Sequence, residues 1–315
     1  MRANIVASEI RWCKITQSGV LRFDGPDAQS FLQAQLTNNI LALDDTRSQY
    51  TGYCTPKGRL LASMLMWQHS GAYYMMLPRE LCEPLRKRLS MYILRAKVTA
   101  ADVSGEHELF GVDGAAAAAT VVTLAGAAPH ATYEAVHANG ITAIQLPVNR
   151  FLIAAPASEA GRIETALTAA AGSVPETLWA TLDIAAGIPV VVAATQEQFI
   201  PQTVNFDLIG AVSFDKGCYP GQEIVARTHY LGRVKQRMVR ARIHATEAPV
   251  AGDKLYAADY ADQASGMIVS AVNSGVADYD VLAVIQTSSL EKPGVHWKSA
   301  DGPALEIASL PYAVK

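Results

Sequence analysis

Hydrophobic and polar positions change period several times along the chain, and each change predicts a different element. Short β-prone runs at 10–15 and 20–23 flank Ser18-Gly19 and predict a hairpin. Asp24-Gly25-Pro26-Asp27 breaks the second run, and Asp27 is placed to cap a helix carrying Leu32 and Leu36, which Thr37-Asn38-Asn39 closes. Runs at 50–54, 60–67 and 73–77, separated by Thr55-Pro56-Lys57-Gly58 and Ser70-Gly71, predict an antiparallel meander. Leu81, Leu85 and Leu89 then recur at helical spacing, with Arg86, Lys87 and Arg88 as a solvated face, before a strand at 98–103.

The pattern shifts after Ser104-Gly105. A strand at 109–112, the alanine run Ala115–Ala119, strands at 141–146 and 151–154, and a helix from Ser158 through Ile163 and Leu167 follow in turn. This order predicts a small α+β layer with helices on one face of a sheet, inserted over 106–172. Ser173-Val174-Pro175-Glu176 starts another helix, striped by Leu178, Leu182 and Ala185 and stopped by Gly187. A strand is expected at 188–192, then a loop rich in amides from Gln198 to Asn205. From Val234 onward, short β runs joined by Gly, Asp, Asn and Pro turns predict a small barrel or sandwich.

At 315 residues, with 50% hydrophobic and 17% charged positions, the chain is a packed globular protein of two or three domains. Its net charge of −3 argues against a general nucleic-acid binder. Between 216 and 242, however, Lys216, Arg227, Arg233, Lys235, Arg237, Arg240 and Arg242 face Glu223 alone, a field suited to a small polyanion. No long apolar run follows Met1-Arg2 and none approaches membrane-spanning length, so a cytoplasmic protein without a signal peptide is expected. Cys13, Cys54, Cys82 and Cys218 are scattered, with no metal-ligand spacing, so neither disulfides nor a metal site held by this chain alone is expected.

The chemistry concentrates in Lys216-Gly217-Cys218-Tyr219-Pro220-Gly221-Gln222-Glu223. Two glycines and a proline make a tight loop that presents its middle residue, and an ammonium two positions away favours the thiolate. Cys218 is therefore either a reactive thiol or a small buried hydrophobe in a turn. Trp179 and Asp183 lie one helical turn apart, and the indole is either core or the wall of a flat-ligand pocket.

The octapeptide and the following Ile224-Val225-Ala226-Arg227 resemble the K-G-C-Y-x-G-Q-E signature of the YgfZ-type folate-binding proteins, relatives of the glycine-cleavage T-protein (aminomethyltransferase). Gly25 with Phe31-Leu32-Gln33 and Gln35-Leu36-Thr37, Lys57-Gly58-Arg59, Ala186-Gly187-Ile188-Pro189, and Phe199-Ile200-Pro201-Gln202 with Asn205 match the same family. The resemblance implies an α+β, T-protein-like three-domain ring. Its parts are a split folate-binding α+β domain at 1–105 and 173–232, a ferredoxin-like insert at 106–172, and a C-terminal β-barrel at 233–315. It further implies tetrahydrofolate as cofactor and a role in assembling or repairing iron–sulfur clusters, with effects on tRNA-modifying enzymes. The implied partners are iron–sulfur client or assembly proteins, with no direct nucleic-acid contact, and the chain is expected as a monomer.

On this resemblance Cys218 and Lys216 are the reactive pair. Trp179, Asp183, Gln202, Tyr219, Gln222, Glu223 and Arg227 are the folate-binding candidates. The transferases place an acid just after a glycine pair in the N-terminal meander, whereas no carboxylate occurs here from Lys57 through Arg79. A positioned acid is worth about 10²–10⁴-fold, so efficient aminomethyl transfer is not expected. A folate-dependent one-carbon transferase using Asp183 or Glu223 is the alternative.

Overall fold

The computed structural model describes residues 10–257, 260, 263–290 and 294–314. Residues 1–9, where no signal peptide is expected, lie outside them. The first half contains β1 (Arg11–Ile15), β2 (Ser18–Asp24), α1 (Ala28–Gln33), β3 (Ser48–Cys54), β4 (Leu60–His69), β5 (Ala72–Pro78), α2 (Arg79–Ser90) and β6 (Thr99–Asp102). Then come β7 (His107–Asp113), α3 (Ala117–Ala125), β8 (Ala135–Ala138), β9 (Ile141–Leu146), β10 (Arg150–Pro156), α4 (Ala160–Ala170) and α5 (Thr177–Ala186). The remainder holds α6 (Gln222–Tyr230), β11 (Gln236–His244), β12 (Lys254–Ala257), β13 (Ala264–Asn273), β14 (Asp278–Gln286), α7 (Thr287–Leu290), β15 (Val295–Trp297) and β16 (Leu305–Ala308). The fold is α+β. No described helix is long and apolar enough to cross a membrane.

Two compact units divide the chain: Met1–Gln29, Ala42–Gln49 and Leu65–Trp179 form the first, and Ser30–Leu41, Tyr50–Met64 and Ala180–Lys315 the second. In the first unit an antiparallel sheet runs β1-β7-β10-β9-β8. Helices α3 and α4 bury Val121, Leu124, Ile163 and Leu167 with Trp12, Phe110, Val112, Phe151 and Ile153 of that sheet. The expected strands and helices of 106–172 form, with β8 in addition, and β1 from outside that range joins their sheet. The Ser18-Gly19 hairpin does not form. β1 pairs with β7, whereas β2 pairs with β5 and β6. Trp12 explains the choice: its ring joins the α3–α4 core and its indole N–H donates to Ala171 O at 2.8 Å. A second sheet runs β3-β4-β5-β2-β6. Helix α2 packs Leu81, Cys82, Leu85 and Leu89 toward β2, β5 and β6.

In the second unit six strands run β15-β12-β13-β14-β11-β16. The two edges meet through a bridge between His296 and Ala304 and a bond from Trp297 N–H to Pro303 O at 2.9 Å, so the sheet curls back on itself around Val239, Ile243, Leu255, Ile268, Val281, Ile285 and Trp297. The expected strand at 188–192 does not form. Pro189 has no N–H to give a ladder, and the amides of Val191 and Val192 donate instead to Ser63 Oγ at 2.8 Å and Thr195 Oγ1 at 3.0 Å. Ile188 N–H turns back to Asp183 O at 2.9 Å, so none of these amides is given to a neighbouring strand.

Candidate functional site

Residues 216–221 of the octapeptide form an irregular stretch of the second unit, and Gln222 and Glu223 open α6. Cys218 is exposed there, while Cys13, Cys54 and Cys82 are buried. Burial pushes the Cys13 and Cys82 thiols up to about 11 and the Cys54 thiol higher still, which leaves those three inert near neutrality. Among the described residues no group of three or more His, Cys, Asp and Glu is placed to hold a metal ion.

Both ends of the loop are anchored within the second unit. Lys216 is 8% exposed and its ammonium donates to Gln33 O at 2.5 Å, Leu36 O at 2.5 Å and Asn38 O at 3.0 Å. These carbonyls belong to the exit from α1, where main-chain acceptors lack helical partners. The Tyr219 ring lies 5.1 Å from the same Nζ. Burial pushes the Lys216 pKa down to about 8, against which the carbonyls favour the charged form. The ammonium that the sequence places beside the thiol is thus directed at backbone oxygens. At the other end Gly221 adopts φ 82° and packs on the Thr55–Gly58 turn: a Cβ there would meet Thr55 O and lie 2.6 Å from Gly58 N. That turn is closed by bonds from Gly58 N–H to Thr55 O at 2.9 Å and from Thr55 N–H to Arg59 O at 2.8 Å.

Helix α6 begins immediately after this contact, in a stretch for which the sequence pattern predicts no element. Gln222 donates to Lys216 O at 3.4 Å and so closes the loop on itself. Glu223 sits in the first turn of α6 and Arg227 in the last, both exposed, where their charges also complement the helix dipole. Tyr219 is buried, and desolvation raises its phenol pKa.

Gln202 is fully buried. Its Nε2 donates to Val225 O of α6 at 2.6 Å, and its own main-chain oxygen accepts from Arg237 at 2.8 Å. Asn205, also fully buried, donates through Nδ2 to Met238 O at 2.7 Å. Because both nitrogens are committed, the amide oxygens are fixed as Gln202 Oε1 and Asn205 Oδ1. Both are buried acceptors without a described partner.

Asp183 is half-buried on α5 in the second unit. Trp179, in the first unit, is 5% exposed. Its ring packs directly on Gly111 of β7, where any Cβ would collide with it, and the Arg150 guanidinium lies over it at 4.2 Å. A cleft of about 290 Å³ in the first unit is lined by Lys14, Ser18, Arg79, Ser104, His107 and Glu108 among others, and none of the residues expected to bind folate lines it.

The basic stretch is less free than its composition implies. Arg237 forms a two-point pair with Asp207 at 2.7 and 3.0 Å, and Arg240 and Arg242 reach Asp280 at 3.5 Å. With Lys216 held by carbonyls, Arg227, Arg233 and Lys235 are the cations of this run that stay exposed without an ion pair among the described residues. Sequence reasoning also missed the polar knot beneath the loop. Thr37 Oγ1 donates to Ala211 O at 2.8 Å, and Asn38 Nδ2 donates to Tyr50 O at 2.8 Å and Gly210 O at 2.7 Å. Read as a helix stop, Thr37-Asn38-Asn39 carries no local sign of partners so distant in the chain.

Residues 3–152 match the family model of the GCVT N-terminal domain. The chain is 30% identical over 295 residues to the tRNA-modifying protein YgfZ of Klebsiella pneumoniae (strain 342), covering 92% of this chain and 89% of that one. It is 29% identical over 296 residues to the tRNA-modifying protein YgfZ of Enterobacter sp. (strain 638), covering 92% and 90%. Among solved structures, the glycine cleavage system aminomethyltransferase T from Bartonella henselae superposes with a TM-score of 0.74 over 96% of this chain and 86% of that one. At 14% identity that likeness shows a shared fold.

Proposed function

The chain belongs to the YgfZ family, and from that premise we propose that it is a tetrahydrofolate-binding accessory protein for iron–sulfur cluster assembly or repair, acting through Cys218. The observation that carries the reading is the loop itself: one exposed thiol, out of four, held between two anchors. The relatives' name, tRNA-modifying protein, fits an indirect effect in which iron–sulfur enzymes that modify tRNA are the clients.

Tetrahydrofolate fits the polar interior of the second unit. When bound, it supplies a reduced pterin whose ring nitrogens carry one-carbon groups. The pterin edge offers an amino group and a ring N–H as donors, and Gln202 Oε1 and Asn205 Oδ1 are buried acceptors in want of donors. Asp183, Tyr219, Gln222 and Glu223 complete the set proposed from this unit. Arg227, with Arg233 and Lys235, is proposed to meet the glutamate tail. Calorimetric titration with tetrahydrofolate tests the cofactor: we expect saturable binding that Gln202→Leu weakens at least tenfold, and a folded protein that binds no folate refutes it.

The T-protein fold supports a second reading, folate-dependent one-carbon transfer with Asp183 or Glu223 as the acid. Incubating the folate-loaded protein with a thiol-bound aminomethyl donor, which would pass its methylene carbon to folate with release of ammonia and the free thiol, separates the two. Turnover of folate to its methylene form would favour transfer; none is expected without the meander carboxylate.

A further inference from the structure

We propose that Lys216 is a positioning residue, a buried cationic clasp that fixes the Cys218 loop on the exit of α1, and not the group that activates the thiol. This rests on the reading above that Cys218 is the working group. Spacing alone puts an ammonium two residues from the thiol and favours activation, but three observations oppose that.

First, the direction of the side chain is settled by its bonds. Lys216 Nζ has three N–H donors, and Gln33 O, Leu36 O and Asn38 O accept from it at 2.5, 2.5 and 3.0 Å. An ammonium so satisfied has no donor left for a neighbouring thiolate. Second, Lys216 is 8% exposed while Cys218 is exposed, so the two ends of the dipeptide step face different surroundings. Third, the clasp has a counterpart. Gly221 seats the far end of the loop on the Thr55–Gly58 turn, and Gln222 Nε2 returns to Lys216 O at 3.4 Å. The thiol is therefore carried on a short span tied down at both ends, and Lys216 supplies the tie that no main-chain ladder provides.

The groups facing the ammonium are these carbonyls and the Tyr219 ring at 5.1 Å. Buried carbonyls left without a donor are costly, so removing the ammonium should open this end of the loop in preference to the rest of the unit. Two amides report such opening. Ser213 N–H donates to Thr37 O at 3.0 Å on one side of the loop, and Gln222 N–H donates to Tyr219 O at 3.1 Å on the other.

Amide exchange at pH 7 and the pH–rate profile of Cys218 alkylation by iodoacetamide are measured on the wild-type chain and on Lys216→Met. We expect exchange at Ser213 and Gln222 to accelerate at least tenfold, strands β11–β14 to keep their protection, and the alkylation profile to keep its midpoint within about 0.3 pH units. A midpoint that rises by half a unit or more with unchanged exchange means that the ammonium acts on the thiol directly, and overturns the inference. Loss of protection spread equally over β11–β14 makes Lys216 a general stability residue and overturns it as well. Should Lys216→Met fail to fold, sparse acetylation of the folded wild-type protein supplies the same comparison. Peptides carrying acetylated Lys216 should exchange at least tenfold faster at those two amides than their unmodified counterparts in the same sample, and equal rates refute the clasp. None of these readouts uses folate or an iron–sulfur client, so they stand apart from any failure of the functional reading.

Discussion

Gly217 and Gly221 frame the same thiol, yet alanine should be nearly free at one and damaging at the other. Gly221 adopts φ 82°, where an L side chain costs about 1–2 kcal/mol. Its Cβ would also lie 2.6 Å from Gly58 N and from Gly58 Cα. Both atoms are backbone, so relief requires moving the Thr55–Gly58 turn or the start of α6, an overpacking cost of about 1–3 kcal/mol. Gly221→Ala should therefore destabilise by about 2–5 kcal/mol. At about 2.1 cal/mol/K of unfolding entropy per residue, a 315-residue chain shifts by about 1.5 °C per kcal/mol, so melting should fall by roughly 3–8 °C. Gly217 has no atom within 4 Å of its would-be Cβ and should tolerate alanine within about 0.5 kcal/mol. Scanning calorimetry of the two variants side by side reads the difference. Equal melting of the two, or Gly221→Ala within 1 °C of the wild type, would refute the seating of the loop on the turn.

Three further outcomes are expected. Trp179→Ala should open a cavity costing about 3–5 kcal/mol, given its contacts with Gly111 and Arg150, and should weaken folate binding by roughly 10- to 100-fold if the indole walls the pterin; a folded variant with unchanged affinity removes Trp179 from the binding set. The folded-state pKa values of Cys13, Cys54 and Cys82 are raised by burial, so the stability these thiols contribute is full below about pH 8.5 and is lost as pH rises toward 11. Lys216, pushed down to about 8, works in the opposite sense up to about pH 10.5, one group against three. The urea midpoint should accordingly drop between pH 8 and pH 10, and a midpoint that holds or rises contradicts the burial of the thiols. Lastly, if Arg227, Arg233 and Lys235 meet the folate tail, triglutamate should bind several-fold tighter than monoglutamate at low salt and lose that advantage at about 0.5 M, where screening reaches only a few ångströms; indifference to tail length leaves these cations as solvated surface.

Much of the architecture was legible because periodicity reports burial. The stripe of Leu81, Leu85 and Leu89 marked α2, and the short runs after Val234 marked β11 through β14. Pairing partners were not legible. β1 and β2 read as a hairpin, but the aromatic face of Trp12 belongs with Phe110 and the α3–α4 core, a preference that exists only once those elements have formed. Helix α6 was hidden by Ile224, Val225 and Thr228, residues of modest helix propensity, and by a start at Gly221 in place of a side-chain cap. In the site, the Gly and Pro neighbours of Cys218 mark a loop but do not decide between an exposed and a buried thiol, which the structure shows exposed. The acceptors of Lys216 were not legible, since they are backbone carbonyls 178 to 183 residues earlier and carry no side-chain signature. For the same reason the run of cations was visible as composition, while its neutralisation by Asp207 and Asp280 was not.

The central claim, that Cys218 carries the activity and contributes little to the fold, meets its most direct test in cells lacking the protein. Cys218→Ser keeps the size of an exposed side chain and removes the thiolate. Restored activity of an iron–sulfur tRNA-modifying enzyme is read as the modified fraction of its tRNA, with expression, melting temperature and folate affinity of the serine protein measured alongside. The serine protein should fold and bind folate as the wild type does and leave the tRNA unmodified, while serine at Cys13, Cys54 or Cys82 restores modification wherever the protein folds. Full restoration by Cys218→Ser would show that the thiol is dispensable and would contradict the proposal.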